Sequence, residues 1–227
     1  MNGVAKKTEG SLFGGLDEAG RGAVIGPLVL ALAWFDEEGI EALYHLSVQD
    51  SKAFGSSGRA RQQRNLLAER IKAIASGWHV VVAQADTVDE AVAADGLNNL
   101  ERRLACQVLK QAPKDCRIVA DGQGIFGPLE SIWPSVVAYN KADARYPAVS
   151  AASILAKNER DQRILSILEP YQAEFGPITG MGYPNGGTEK FLRRFHEARG
   201  CLPPHVRRTW NWPLVRELSG RQGRLPL

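Results

Sequence analysis

Asp17 and Glu18 stand side by side between two contrasting segments. Upstream lies an apolar stretch with Leu12, Phe13 and Leu16, and downstream a Gly20-Arg21-Gly22 turn. A second apolar run, Pro27 to Phe35, follows. Paired carboxylates are hard oxygen donors suited to divalent cations. Glycines let backbone N–H groups come close to a ligand, and a guanidinium matches the geometry of a phosphate. The segment 15–22 therefore points to metal-assisted chemistry on a phosphate ester. Strand side chains alternate, so Asp17 and Glu18 cannot share one face of a regular strand. The glycine bend is expected to twist the chain and bring both into one site.

Two further aspartates follow short apolar runs: Asp121 after Arg117–Ala120, and Asp143 after Ser135–Tyr139. Asp17, Asp121 and Asp143 are each expected at or just past a strand end. In α/β sheets such ends gather where sites form. The elements that must position them are legible from periodicity. Strands are expected at Ser11–Leu16, Leu28–Phe35 and Trp78–Ala83, besides the two that precede Asp121 and Asp143. Helices are expected at Arg59–Ala75, with Leu66, Leu67, Ile71 and Ile74 on one face, and at Leu97–Gln111, with a Leu97, Leu100, Leu104, Val108 stripe. Thr87-Val88-Asp89-Glu90 has capping-box spacing. A long helix is expected from Val149 towards Leu168, ended by Pro170 and Gly176-Pro177. A Gly-rich loop, Gly180–Gly187, opens a helix over Thr188–Ala198. The stretch before Gln49-Asp50-Ser51-Lys52 reads as a polar loop, and the C-terminal end as irregular or weakly helical. A strand pair followed by alternating strands and helices gives an α/β fold, a mixed sheet flanked by helices.

The 227 residues are 44% hydrophobic and 23% charged, ordinary for a globular chain with a real core. The longest apolar stretch, Val24 to Phe35, is too short to span a bilayer and is broken by Gly26 and Pro27. No signal-peptide pattern opens the chain. Cys106, Cys116 and Cys201 lack metal-type spacing and are read as reduced thiols of a cytoplasmic protein. Net charge is only +3, yet residues 187–227 hold nine of the 28 basic residues and three of the 25 acidic ones. A basic C-terminal segment beside an acid-bearing body suits metal on one part and phosphate on another.

An ordered set of segments resembles type 2 ribonucleases H, the ribonuclease HII and H2 catalytic-subunit family. It comprises Asp17-Glu18-Ala19-Gly20-Arg21-Gly22, Asp50-Ser51-Lys52, Asp121-Gly122, Lys141-Ala142-Asp143-Ala144-Arg145-Tyr146-Pro147, Ser150-Ala151-Ala152-Ser153-Ile154-Leu155-Ala156-Lys157, Gly182-Tyr183-Pro184 and Arg208-Thr209-Trp210. The Lys141–Pro147 and Gly-Tyr-Pro-Asn segments look more like archaeal and eukaryotic members than typical bacterial ones. The resemblance implies a ribonuclease H-like fold with a C-terminal helical appendage. Residues 1–170 would form the catalytic domain and 171–227 a substrate-binding extension of the same compact unit.

The resemblance also implies an endoribonuclease. It would cut the RNA strand of RNA/DNA hybrids and incise 5′ of ribonucleotides embedded in duplex DNA. Asp17, Glu18, Asp121 and Asp143 would be both catalytic residues and ligands of two Mg2+ or Mn2+ ions, leaving 3′-OH and 5′-phosphate ends. Gly20, Arg21 and Gly22 would read the 2′-OH through backbone groups. Tyr183 would stack on the deoxyribose 3′ of the ribonucleotide. Ser51, Lys52 and Lys157 are expected to contact phosphate or support the site, and Lys141 and Arg145 to balance the charge of Asp143. His205 is assigned no catalytic role. The alternatives are a non-catalytic nucleic-acid-binding relative and a nuclease of the same fold acting on DNA. Gly186-Gly187-Thr188 stands where many archaeal and eukaryotic relatives carry Asp-Pro-Lys-Thr, which predicts a looser loop. The tail, Gly220–Leu227, lacks the paired aromatics of a sliding-clamp motif. The expected partners are RNA/DNA hybrid and ribonucleotide-containing duplex DNA, with no membrane. The chain is expected to work as a monomer without accessory subunits.

Overall fold

The computed structural model describes residues 11–46 and 58–220. Their strands are β1 (Phe13–Ala19), β2 (Leu28–Phe35), β3 (Gly77–Ala83), β4 (Arg117–Asp121) and β5 (Val136–Tyr139). Helices are α1 (Glu37–His45), α2 (Gly58–Ile74), α3 (Ala85–Ala94), α4 (Leu97–Leu109), the one-turn α5 (Gln123–Phe126), α6 (Pro147–Phe175), α7 (Gly186–Arg199) and α8 (Pro213–Gly220). Short 3₁₀ turns cover Gly127–Ser131 and Ala142–Ala144. None of these helices is long and apolar enough to cross a membrane.

The five strands form one mixed sheet in the order β3-β2-β1-β4-β5. β1 and β2 are antiparallel, while β1–β4 and β4–β5 are parallel. This is the expected α/β architecture. Every residue of β2 is buried, as its unbroken Leu-Val-Leu-Ala-Leu-Ala-Trp-Phe run requires of a strand covered on both faces.

The chain divides into two compact units. Among the described residues, the first holds 11–19, 29–46, 58–82 and 98–159; the second holds 20–28, 83–97 and 160–220. In the first, Val29, Ala31, Ala33 and Phe35 of β2 pack with Leu67 and Ile71 of α2 and with Ala148, Ala151 and Leu155 of α6. Small residues on α6 let it lie close to the sheet. A Cβ on Gly15 of β1 would stand 2.1 Å from the Ala148 carbonyl carbon, so only glycine fits there. In the second unit, Phe175, Phe191 and Phe195 form an aromatic cluster, with ring centroids 5.5–6.0 Å apart. Leu202, Val206, Leu214 and Val215 pack with it.

Several expectations are corrected. β1 runs on to Ala19, so Asp17 and Glu18 lie inside the strand rather than past its end. The segment after β2 is the helix α1, not a loop: Asp36 caps it by accepting from the Gly39 N–H at 2.8 Å. Its first turn carries Glu37 and Glu38, which favour the helix dipole. Leu66 faces solvent, while Leu67 and Ile71 are buried. Thr87 caps nothing, because α3 already begins at Ala85 with Gln84 before it. The Asp89 carboxylate instead accepts from the Arg208 and Thr209 N–H groups at 2.7 and 3.1 Å. Pro170 does not end α6, which continues to Phe175. An interior proline costs about 3 kcal/mol. Here Tyr171 and Phe175, just beyond it, bury their rings against Phe191 and Phe195, which offsets that cost. The C-terminal end is helical over α8.

Gly15→Ala should therefore lower the stability of the protein by at least about 2–3 kcal/mol in urea unfolding, because a backbone neighbour cannot yield as a side chain can. Unchanged stability would mean that the approach of α6 to β1 is not close.

Candidate active site

β1, β4 and the turn after β5 each deliver one aspartate. A carboxylate oxygen from each of Asp17, Asp121 and Asp143 lies within 4.8 Å of the others. Asp17 and Asp143 are 6% and 8% exposed. Strand register explains the first two. Leu16 pairs with Ala120, so Asp17 and Asp121 sit one step further along neighbouring strands, on the same face. Asp143 comes from a 3₁₀ turn entered through Lys141 in the left-handed region, φ 58°. That conformation is costly for a non-glycine residue. The turn is held at both sides. The Ala142 N–H donates to Asp121 Oδ1 at 3.0 Å, and the buried Ser150 hydroxyl donates to the Asp143 carbonyl.

Burial pushes the Asp17 carboxyl well above 3.8, its ordinary value, and the neighbouring charge of Glu18 adds to that. The Ser153 hydroxyl, the Glu18 N–H at 2.8 Å and the Lys157 ammonium oppose the shift without cancelling it. Ser150, Ser153 and Lys157 recur at helical spacing on α6. Ser150 and Ser153 were given no role by sequence reasoning, although that spacing among alanines is a signal for a polar stripe on a close-packed helix. The Lys157 ammonium acts on Asp17 through its charge alone.

Glu18 is not one of the three clustered acids. Its strand phase is opposite to that of Asp17: it pairs with Leu30, whereas Asp17 pairs with Ala31. The bend expected to turn it begins only at Gly20, φ 88°, after Ala19 has completed the strand. Its charge still reaches Asp17. Ser51 and Lys52 lie outside the described residues.

In the second unit, Gly20, Arg21 and Gly22 open a tightly bonded loop. A Cβ on Gly20 would meet the Pro27 carbonyl oxygen at 2.5 Å, whereas one on Gly22 would meet nothing within 4 Å. The Gly182 carbonyl accepts from the Val24 and Ile25 N–H groups at 2.8 and 3.0 Å. It thereby ties this loop to the one carrying Tyr183. Arg207, fully buried, donates to the Gly26 and Arg21 carbonyls at 3.0 and 3.2 Å. Burial, and then the charge of Arg160, push its guanidinium down to about 10. The Arg160 guanidinium lies 4.2 Å from the Tyr183 ring centre and donates to the Met181 carbonyl. Tyr183 remains 37% exposed. Asn185 accepts from Gly187 and Thr188 and donates to the Gly180 carbonyl. Gly187 also packs where a Cβ would stand 2.3 Å from Thr179 Oγ1.

Three clustered carboxylates are an all-oxygen, hard donor set. Residues of this kind, mutually repulsive and partly desolvated, fit a small divalent cation. The mixed sheet and this acid group define a metal-dependent hydrolase of ribonuclease H-like architecture. The family model for ribonuclease HII matches residues 14–212. A ribonuclease HII of Pyrococcus furiosus is 36% identical over 208 residues, spanning 87% of this chain and 88% of that protein. The crystal structure of ribonuclease H2 from Pyrococcus horikoshii OT3 superposes with a TM-score of 0.78 at 33% identity, covering 94% of this chain and all of that one. The ribonuclease HII of Archaeoglobus fulgidus, solved in complex with PCNA, gives 0.74 at 34% identity, covering 91% and 96%. This chain belongs to the ribonuclease HII family.

The raised Asp17 value has a sign that can be checked. The unfolded chain loses this proton first, so the folded metal-free protein loses stability as pH rises above 3.8 through the elevated folded value. Asp17→Asn should flatten that decline and raise the melting temperature in chelator at neutral pH. Mg2+ should stabilise the wild-type chain and fail to stabilise the variant. An unchanged pH profile in Asp17→Asn would remove the argument from the burial of Asp17 beside Glu18.

Proposed function

We propose that this protein is an endoribonuclease that cuts the RNA strand of RNA/DNA hybrids and incises duplex DNA 5′ of an embedded ribonucleotide. The observation that carries the reading is the convergence of Asp17, Asp121 and Asp143 from separate segments onto one point. Asp17, Asp121 and Asp143, with Glu18 as fourth acid, would hold two Mg2+ or Mn2+ ions. Such a pair supplies an activated water and charge neutralisation at the leaving oxygen. The products would carry 3′-OH and 5′-phosphate ends.

The protein's own groups supply the rest. Ser150 and the Ala142 N–H hold the Asp143 turn, so two of the carboxylates are fixed before any cation arrives. Lys157 favours the charged form of Asp17, which is the form that binds metal. The backbone of Gly20, Arg21 and Gly22 would read the 2′-OH, and the open space beside Gly22 supports a close approach there. Tyr183 would stack on the deoxyribose 3′ of the ribonucleotide. Its ring is oriented by Arg160 and keeps an exposed face. Ser51 and Lys52 are proposed phosphate contacts. Residues 171–227 are proposed to extend the catalytic body as a substrate-binding segment, in keeping with their basic balance.

The protein is proposed to act as a monomer in the cytoplasm, a compartment with which its three free thiols agree. The PCNA complex of the Archaeoglobus fulgidus relative makes a sliding clamp a partner to test. The tail, Gly220–Leu227, carries no paired aromatics of the sliding-clamp kind, and from residue 221 on it lies outside the described residues.

A duplex with one ribonucleotide, an all-DNA duplex and a long hybrid, each with Mg2+, Mn2+ or chelator, test the reading. Cleavage should need metal, spare all-DNA and leave 3′-OH ends. Asp143→Asn should reduce the rate by at least ~100-fold. A 2′,3′-cyclic phosphate product would overturn the mechanism, and binding without metal-dependent cleavage would favour a non-catalytic relative. Base-type stacking contacts are worth roughly 1–3 kcal/mol. Tyr183→Ala should therefore lose about tenfold of the preference for the RNA–DNA junction. Full retention of that preference would end the assigned role.

A further inference from the structure

The row of side chains that starts with Asp17 and Asp121 does not stop there. Asp121 pairs in register with Tyr139 on β5, so Tyr139 projects from the same face one strand further out. Neighbouring strands lie about 4.8 Å apart. β5 is the last strand of the sheet, and Val137 and Tyr139 are 40% and 38% exposed on that face. The Tyr139 ring stacks on Tyr146, with centroids 5.7 Å apart and planes 10° from parallel. The Arg145 guanidinium lies over both rings, 5.5 and 5.8 Å from their centres. Arg145 and Tyr146 follow Asp143 by two and three residues, so the cluster adjoins the acid site on two sides.

A guanidinium laid on aromatic faces keeps its N–H edge available and is pre-oriented for an anion. Balancing the charge of Asp143 does not require two stacked tyrosines or an exposed edge strand. From this geometry we infer that Tyr139, Arg145 and Tyr146 form a contact for the nucleic-acid strand being cut, with Arg145 on a backbone phosphate within two nucleotides of the scissile one. The inference rests on the nuclease reading above and extends it to a second anchoring point. Phosphates along one strand recur about every 3.4 Å of helix axis, so a strand whose scissile phosphate sits at the acids and that runs on over this sheet edge presents a neighbouring phosphate to Arg145. The two rings fix the cation and offer an apolar face to a sugar or base.

The test separates binding from cleavage. Hybrid affinity is measured in chelator over a range of salt concentrations for the full chain and for Arg145→Ala, Arg145→Lys and Tyr139→Ala. Arg145→Ala should bind about five- to tenfold more weakly, and the slope of log affinity on log salt should fall by about one. Arg145→Lys should keep the slope and lose part of the affinity. Tyr139→Ala should lose affinity with the slope retained. Replacing single phosphates near the cut by neutral methylphosphonates should abolish the Arg145→Ala penalty at one position.

A wild-type chain that binds hybrid while Arg145→Ala matches it in affinity and slope would overturn the inference and leave the nuclease reading intact. So would an Arg145→Ala defect confined to metal affinity, which is what mere charge balance predicts. A wild-type chain without metal-dependent cleavage of hybrid would instead strike the nuclease reading itself.

Discussion

Carboxylates that repel one another are the constraint on which this structure turns. Asp17, Asp121 and Asp143 are held close, and at Asp17 burial, with the charge of Glu18 added to it, disfavours the charged form in the folded chain. The surrounding architecture can be read as the means of holding them there. β1 and β4 run parallel and adjacent, which brings two of the acids to one face. The Asp143 turn is fastened from both ends, by an N–H onto Asp121 and by the Ser150 hydroxyl onto its own carbonyl. The close approach of α6 at Gly15 brings Ser150 and Ser153 to the site. A cation relieves the repulsion, so the same strain that weakens the metal-free protein favours the metal-bound one.

The second unit uses positive charge in a different way. Arg160 and Arg207 are almost fully buried, and their guanidinium groups donate to carbonyls of the loops at 20–28 and 180–184. Buried guanidinium groups are costly to desolvate, the more so as Arg160 Nε and Arg207 Nη2 have no hydrogen-bond partner, and burial accordingly lowers the proton affinity of both. What they secure is a fixed loop geometry: one carbonyl, that of Gly182, joins the two loops through two N–H groups. The loop after Tyr183 shows a related solution. Its Gly186-Gly187-Thr188 segment carries neither proline nor charge, and Asn185 and the packing of Gly187 on Thr179 close it.

Local signals were readable where local energetics decide. The apolar run 28–35 gave β2 residue for residue, and the Leu100, Leu104, Val108 stripe marked the buried side of α4. Local signals misled where tertiary contacts outweigh them. Pro170 is a helix breaker by any local rule, but α6 passes through it to bury Tyr171 and Phe175. Asp89 sits at capping-box spacing, but its carboxylate is spent on Arg208 and Thr209, over a hundred residues away. α1 was overlooked because its surface is polar, although Asp36-Glu37-Glu38 is a sound helix start.

The sequence by itself determined the family, and it singled out the acids, the glycine turn and the tyrosine as candidates for its chemistry. Residue type and spacing suffice for that, because the donor set for a hard cation and the backbone freedom of glycine are local properties. Only the tertiary structure decided which acids meet. Asp17, Asp121 and Asp143 lie more than a hundred residues apart at their extremes; strand register brings the first two together, and a 3₁₀ turn fastened to Asp121 adds the third. The same register left Glu18 out of that trio and put Tyr139 in line with it, because side chains alternate along a strand and align across a sheet.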